Sequence, residues 1–170
     1  MSIEEAIQER ILILDGAMGT MIQSYQLEEQ DFRGEIFKDI DFQMKGNNDI
    51  LSLTRPDVIE DIHRRYLEAG ADIITTNTFS SQRISMADYH CEDYCDEINR
   101  AAARTALGVA RQYSAKTPAK PRFVVASIGP TNKTASISPD VNNPALRDVT
   151  YDQLAQAYYD QMRILVEEGI

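Results

Sequence analysis

The sequence lacks the features of membrane and secreted proteins. It has no apolar run long enough to span a bilayer. Its start, MSIEEAIQER, has neither the basic residues nor the apolar centre of a secretory signal. Its two cysteines are too few for a disulfide framework. We therefore expect a cytoplasmic protein that makes no contact with a membrane.

Positive charge is scarce as well, because 17 lysine and arginine residues stand against 27 aspartate and glutamate residues. The net charge is -10. A nucleic-acid surface needs clustered positive charge, so we expect no nucleic-acid partner. The phosphate-binding patterns GxGxxG and GxxxxGKS/T are absent. A nucleotide-binding α/β domain is therefore an alternative only if the turn at Gly16 and Gly19 holds a phosphate.

What the sequence does contain is one pattern repeated three times. Residues 11–20 (ILILDGAMGT), 71–79 (ADIITTNTF) and 123–130 (FVVASIGP) each run from apolar residues into small or polar ones. A short apolar run that ends in turn residues is typical of a strand buried on both faces. With 170 residues, 43% of them hydrophobic, the chain can form one domain with a sizeable core.

Helical patterns separate these strands. One begins at Pro56 and ends at Gly70, and another begins at Thr150, whose spacing to Gln153 predicts a capping box. The weakly periodic residues 20–53 contain aromatic side chains, which predict an ordered, packed segment.

The order of strands and helices predicts an α/β fold with a parallel sheet, because such crossovers are right-handed. Long loops after the strands favour a (β/α)8 TIM barrel over a doubly wound sheet. Such a barrel takes about 250 residues. We therefore expect the first part of a barrel, truncated after about three βα units.

The polar residues that follow the strands are the candidates for a site. Asp15 can pair with a ligand's ammonium group, or it can cap the following turn. Gly16 lets the backbone approach a ligand closely, because it has no Cβ. After the third strand, Ser127 and Gly129 allow either a close backbone approach or a plain turn.

The residues after the second strand allow two interpretations. In the first, Phe79 forms an apolar wall while Asn77 and Thr78 donate hydrogen bonds to a ligand. In the second, Phe79 belongs to the core and the polar loop residues satisfy one another.

The metal-binding residue types form no recognisable site. Cys91 and Cys95 lie four residues apart near acids, but a structural zinc needs four ligands, and none of the usual spacings appears. We expect ordinary buried or half-buried thiols. His63 and His90 have no nucleophile nearby in the sequence and are expected to be structural.

Three motifs, LDGAMGT, GADIITTNTF and SIGPTNKTASISPD, resemble the homocysteine S-methyltransferase family. KGNNDILSLTRPDVIEDIH and MADYH are most similar to its cobalamin-dependent methionine synthase branch. The resemblance covers nearly the whole chain. It implies that residues 1–170 are the N-terminal part of a homocysteine-binding barrel domain, in a protein that methylates the thiol of homocysteine to form methionine.

The resemblance also implies parts for the candidate residues. Asp15 and Gly16 are expected to hold the amino-acid end of homocysteine, and Phe79 is expected to lie near its side chain. Three further residues are expected to border the same pocket: Thr78, Ser127 and Gly129.

Zinc and methylcobalamin are implied for the full-length protein, with methyltetrahydrofolate regenerating the methyl group. The family's zinc ligands are three cysteines near later strands, two of them in a GGCC motif that is absent here. We therefore expect no catalytic or metal-binding residue and no bound cofactor in residues 1–170, and no activity from this chain alone. Folate- and cobalamin-binding domains are expected downstream in the same polypeptide.

Two alternatives stay open at this point. The first is a methyltransferase of the betaine or S-methylmethionine type. The second is a module that binds an amino acid or another chain without catalysis.

A partial barrel leaves open sheet edges, whose unpaired N–H and C=O groups invite pairing with other chains. We therefore predict either that the 170-residue chain self-associates or that a missing remainder of the polypeptide covers these edges. Sedimentation velocity at increasing protein concentration measures this, and a compact monomer at every concentration would contradict it.

Overall fold

A small parallel sheet lies at the centre of the fold. The computed structural model describes residues 2–170. Strand β1 (Ile73–Thr75) pairs in parallel with strand β2 (Phe123–Val125). Leu14 forms a parallel bridge to Ile73. The three predicted strand segments are therefore neighbours in chain order, which confirms the predicted parallel sheet.

The prediction that residues 11–14 form a strand buried on both faces is wrong. Ile11 is 89% exposed, and Ile13 and Leu14 are 58% and 53% exposed. The segment bonds to β1 along one edge, where the Ile73 N–H donates to the Ile13 carbonyl oxygen at 3.1 Å. Within residues 2–170 no strand pairs with its other edge. Its apolar side chains therefore stay uncovered.

Helices supply most of the ordered structure. The described part of the chain has eight α-helices: α1 (Ile3–Glu9), α2 (Met18–Gln23), α3 (Glu29–Arg33), α4 (Leu51–Thr54), α5 (Pro56–Glu68), α6 (Arg83–Met86), α7 (Cys95–Lys116) and α8 (Tyr151–Glu167). Short 3-10 turns lie at Asn48–Ile50, Ala87–Tyr89 and Glu92–Tyr94. Between residues 2 and 170, none of the helices combines the length and apolar character that a membrane crossing requires.

Local sequence signals set the ends of these helices, as predicted. Pro56 is the first residue of α5, where its missing N–H costs no hydrogen bond. Gly70 follows α5 with a positive φ of 111°, which favours glycine. Thr150 and Gln153 form the predicted capping box of α8, since each side chain accepts a hydrogen bond from the other residue's backbone N–H.

Two apolar clusters pack the helices against one another and against the sheet. Ile74 of β1 is fully buried in a cluster with Val109 of α7 and apolar residues of α5. A larger cluster joins α5 to residues 20–53, where Phe32 and Phe37 are buried. Burying one such aromatic side chain stabilises a fold by about 1.5–3 kcal/mol. This confirms that residues 20–53 are packed despite their weak periodicity.

His63 is buried without a hydrogen-bond partner. Its side chain lies in α5 with 0% exposure, and neither ring nitrogen bonds to any group within residues 2–170. Burial lowers the pKa of His63 from 6.5 to about 4. The folded chain therefore keeps His63 neutral at pH values where the unfolded chain protonates it.

We predict that His63 makes the fold sensitive to acid. Its contribution to stability is complete above pH 6.5 and is lost as the pH falls toward 4, because only the unfolded chain takes up the proton. The loss at pH 5 is about 2 kcal/mol. The His63→Leu variant should not lose this stability. Urea unfolding at neutral pH and at pH 5 measures the free energy of unfolding of both proteins.

His90→Asn is the matched control, because His90 is exposed and asparagine tolerates its positive φ of 55°. This variant should keep the pH dependence of the unsubstituted chain. If His63→Leu also keeps it, the acid sensitivity has another source.

Candidate functional site

A cavity of about 400 Å³ opens at the carboxyl end of the sheet. Its wall combines the turn at residues 16–19, the segment 46–49 and residues 75–80 at the end of β1. Parallel α/β folds bind their ligands at this end of the strands, in the loops that follow them. The cavity is therefore the candidate site.

The structure brings residues of all three predicted strand ends to this cavity. Of the six residues predicted for the site, four line it: Gly16, Thr78, Phe79 and Ser127. The other two, Asp15 and Gly129, touch its wall through Thr75 and Phe79. The three strand ends thus meet at one cavity, although the strand-end pattern did not say which side chains reach it.

Hydroxyl groups tie the loop after β1 to the end of β2. The Thr78 hydroxyl donates to the Ser127 carbonyl oxygen at 2.8 Å and shares a 2.6 Å hydrogen bond with the Thr76 hydroxyl. The Ser127 N–H donates to the Thr76 hydroxyl at 3.1 Å. Thr78 has 0% exposure. Its hydroxyl therefore holds the loop in place instead of pointing a free donor at a ligand.

Amide side chains hold the same loop from the surrounding helices. Gln161 of α8 donates to the Thr78 carbonyl oxygen at 2.8 Å, and Asn99 of α7 donates to the Ser81 carbonyl oxygen at 2.7 Å. Asn77 donates across the cavity wall to the Asn48 carbonyl oxygen at 2.9 Å. The interpretation that the polar loop residues satisfy one another thus agrees with Thr78, which bonds to Thr76, whereas Asn77 bonds to a residue outside the loop.

Phe79 projects from this fixed loop, with 55% of its surface exposed. Gly129 packs against it: the Gly129 N–H donates to the Phe79 carbonyl oxygen at 2.8 Å. A Cβ at Gly129 would lie 2.6 Å from that oxygen and from the Phe79 ring. The close approach at Gly129 is therefore made to Phe79, which is not part of the core and faces the cavity.

Asp15 is fixed by the neighbouring strand. Its carboxylate accepts hydrogen bonds from the Thr75 N–H at 2.8 Å and the Thr75 hydroxyl at 3.1 Å. Burial raises the pKa of Asp15, and the hydrogen bonds from Thr75 oppose that rise. The acid lies at the same end of the sheet as Thr75 and Ser127, which both line the cavity.

Asp49 is a wall residue that the strand-end pattern did not predict. It lies in the 3-10 turn before α4, is 5% exposed, and lines the cavity. Burial raises the pKa of Asp49 to about 6, although hydrogen bonds from Ser81 and Ser80 lower it. It follows no strand, and it lies beside the apolar run ILSL within the motif KGNNDILSLTRPDVIEDIH, to whose residues no site role was given.

The cysteines are buried thiols, as predicted. Cys91 and Cys95 are 0% and 4% exposed, and neither forms a disulfide. Burial raises the pKa of Cys91 to about 11 and that of Cys95 to about 12, so both stay protonated near neutral pH. Within residues 2–170 no group of three or more His, Cys, Asp or Glu side chains is arranged to hold a metal ion.

We predict that Gly129→Ala destabilises the chain by about 1–3 kcal/mol, because the new Cβ overlaps the Phe79 backbone and ring. Urea unfolding measures the change. Gly108→Ala in α7 is the matched control, since a Cβ there meets nothing within 4 Å. That variant should be more stable by about 0.5–1 kcal/mol. Equal effects of the two substitutions would contradict the close packing at Gly129.

Comparison with known proteins bears on the fold and the family of the chain. Two crystal structures of the homocysteine methyltransferase MmuM from Escherichia coli are similar to this chain. For the metallated form the TM-score is 0.69 at 17% identity, over 97% of this chain and 53% of that one. For the oxidized form it is 0.69 at 18% identity, over 96% and 52%.

The chain therefore spans about half the length of these structures, and at such identities the likeness concerns the fold. It shows an α/β fold similar to that of a TIM-barrel enzyme, while the closed barrel and the truncation stay predictions. The sequence model of homocysteine S-methyltransferases matches residues 12–170. Because that match covers most of the chain, this protein belongs to the homocysteine S-methyltransferase family.

Proposed function

We propose that this chain is the homocysteine-binding part of a methyltransferase that converts homocysteine into methionine. The cavity is the observation that supports this most, because its wall collects Gly16, Phe79 and Ser127 from the three motifs of the family resemblance. Membership of the family supports the substrate class. We propose no catalytic residue within residues 1–170.

Asp15 and Gly16 are the proposed contacts for the amino-acid end of homocysteine. The side of Gly16 where a Cβ would stand is filled by Tyr66, whose hydroxyl would lie 3.1 Å from that atom. The missing Cβ thus makes room for Tyr66, and the contact that we propose for a ligand is with the Gly16 backbone. The Asp15 carboxylate carries about four acceptor sites. Its bonds to Thr75 leave some of them for an ammonium group.

Phe79 is the proposed wall for the two methylene groups and the sulfur of homocysteine. It is the only aromatic ring in the cavity wall besides Tyr89 within residues 2–170. Aromatic edges make favourable contacts with sulfur. Thr78, Ser127 and Gly129 are the proposed supports, since they fix the loop that carries Phe79.

Methylcobalamin, regenerated with methyltetrahydrofolate, is the methyl donor that we propose, and the motifs KGNNDILSLTRPDVIEDIH and MADYH support it. A donor of the betaine or S-methylmethionine type is the alternative. Zinc, which the family resemblance implies, finds no fitting set of ligands within residues 2–170. We therefore assign it no ligand here and derive no step through it.

We predict that the chain binds L-homocysteine and that Phe79→Ala weakens this binding about tenfold, a loss of about 1.4 kcal/mol. Isothermal titration calorimetry measures both affinities. Tyr159→Ala is the matched control, because Tyr159 is a similarly exposed aromatic residue on α8, outside the cavity wall. It should bind as the unsubstituted chain does.

Titration with L-serine and L-alanine tests the alternative of a general amino-acid module. Equal affinities for these amino acids and for homocysteine would favour that alternative. A chain that binds no homocysteine would refute the proposed function.

A further inference from the structure

We propose that Asp49 is a second carboxylate that binds the α-ammonium group of the substrate in the cavity. This inference rests on the proposed function, because it places the amino group of homocysteine. It adds to the wall a residue that none of the three motif ends contains.

Only one of the two carboxylate oxygens of Asp49 accepts hydrogen bonds from the described residues. Its Oδ2 atom accepts from the Ser80 N–H at 2.6 Å and from the Ser81 hydroxyl at 2.7 Å. Its Oδ1 atom accepts no hydrogen bond from residues 2–170, and it is not among the buried polar atoms that are sealed from solvent. Because Asp49 lines the cavity, Oδ1 is the oxygen that a ligand can reach.

No cation of the described chain neutralises Asp49. The cavity wall contains no lysine, arginine or histidine within residues 2–170, and no ion pair there involves Asp49. A buried carboxylate without a partner is costly, so such groups are normally paired or protonated. A cationic ligand would supply the missing partner.

Asp72 is a buried acid outside the cavity wall, and it provides a comparison with Asp49. Only 3% of its side chain is exposed, and it pairs with Arg10 at 2.9 Å and Lys120 at 3.4 Å. Burial alone would raise its pKa, but the hydrogen bonds from Arg10 lower the pKa of Asp72 to about 2. Asp49, equally buried, has no such cation.

A primary ammonium group suits this position better than a metal ion does. Calcium takes six to eight oxygen ligands and magnesium needs near-octahedral coordination, whereas Asp49 offers one free oxygen and no second acid lies in the wall. An ammonium group has three donors. It can bond to Asp49 and keep two donors for other oxygens.

Two ligands separate this role from a structural one: L-homocysteine and γ-mercaptobutyrate, which is homocysteine without the amino group. Asp49→Asn keeps an oxygen that can accept from Ser80 and Ser81 but removes the charge. We expect it to weaken homocysteine binding by about 10- to 100-fold and to leave γ-mercaptobutyrate binding unchanged within about twofold. Calorimetry on the 170-residue chain measures both.

Asp39→Asn is the control for net charge, because Asp39 is exposed and lies outside the cavity wall. It should bind both ligands as the unsubstituted chain does. If Asp49→Asn weakens the binding of both ligands equally, or of neither, the inference is overturned while the proposed function stands. If the unsubstituted chain binds no homocysteine, the proposed function and the inference fall together.

A second measurement uses the unsubstituted chain, in case Asp49→Asn does not fold. Carbon-13 NMR follows the titration of the Asp49 carboxyl group, whose only titratable neighbour in the described cavity wall is Tyr89. Homocysteine should lower the pKa of Asp49 from about 6, and γ-mercaptobutyrate should not. An unchanged pKa with bound homocysteine overturns the inference.

Discussion

The hydrogen bonds that join Thr76, Thr78 and Ser127 are the contacts on which the cavity depends. Backbone pairing of β1 and β2 ends at Thr75 and Val125. Beyond that point threonine hydroxyls continue the connection, because a hydroxyl can donate to one strand while it accepts from the other. These hydroxyl bonds add to the backbone bond from the Gly129 N–H to the Phe79 carbonyl oxygen, so the strand ends, from which the loops of the cavity wall start, are held at a fixed spacing.

The acids at the two ends of the sheet differ in whether a cation pairs with them. Asp72, at the amino end of β1, is neutralised by Arg10 and Lys120. At the carboxyl end, Asp15 is bound by neutral donors, and Asp49 likewise bonds only to neutral groups. The carboxylate at the amino end is thus neutralised by cations of the chain, whereas the carboxylates at the carboxyl end are not. This matches the general division in which strand amino ends stabilise a parallel fold and carboxyl ends carry its chemistry.

Local signals in the sequence predicted the helices and the end of the sheet that carries the site, because capping and chain reversal depend on a few adjacent residues. Pro56 and Gly70 are examples, since each acts on its own turn of backbone. The exposure of residues 11–14 could not be predicted, because burial depends on which elements cover a strand. The role of Asp49 in the wall and the contact of Gly129 with Phe79 could not be predicted either, because both join segments more than 30 residues apart in the chain.

The cavity wall combines a fixed frame with one exposed aromatic ring. Asn99, Gln161 and Asp49 each bond to the backbone of residues 78–81 from a different element, so that loop is held on three sides. A ligand that meets Phe79 therefore finds a surface whose backbone is already ordered, and binding need not order it again. Because ordering a loop or a flexible side chain opposes association, the hydrogen bonds that hold this loop in place favour binding.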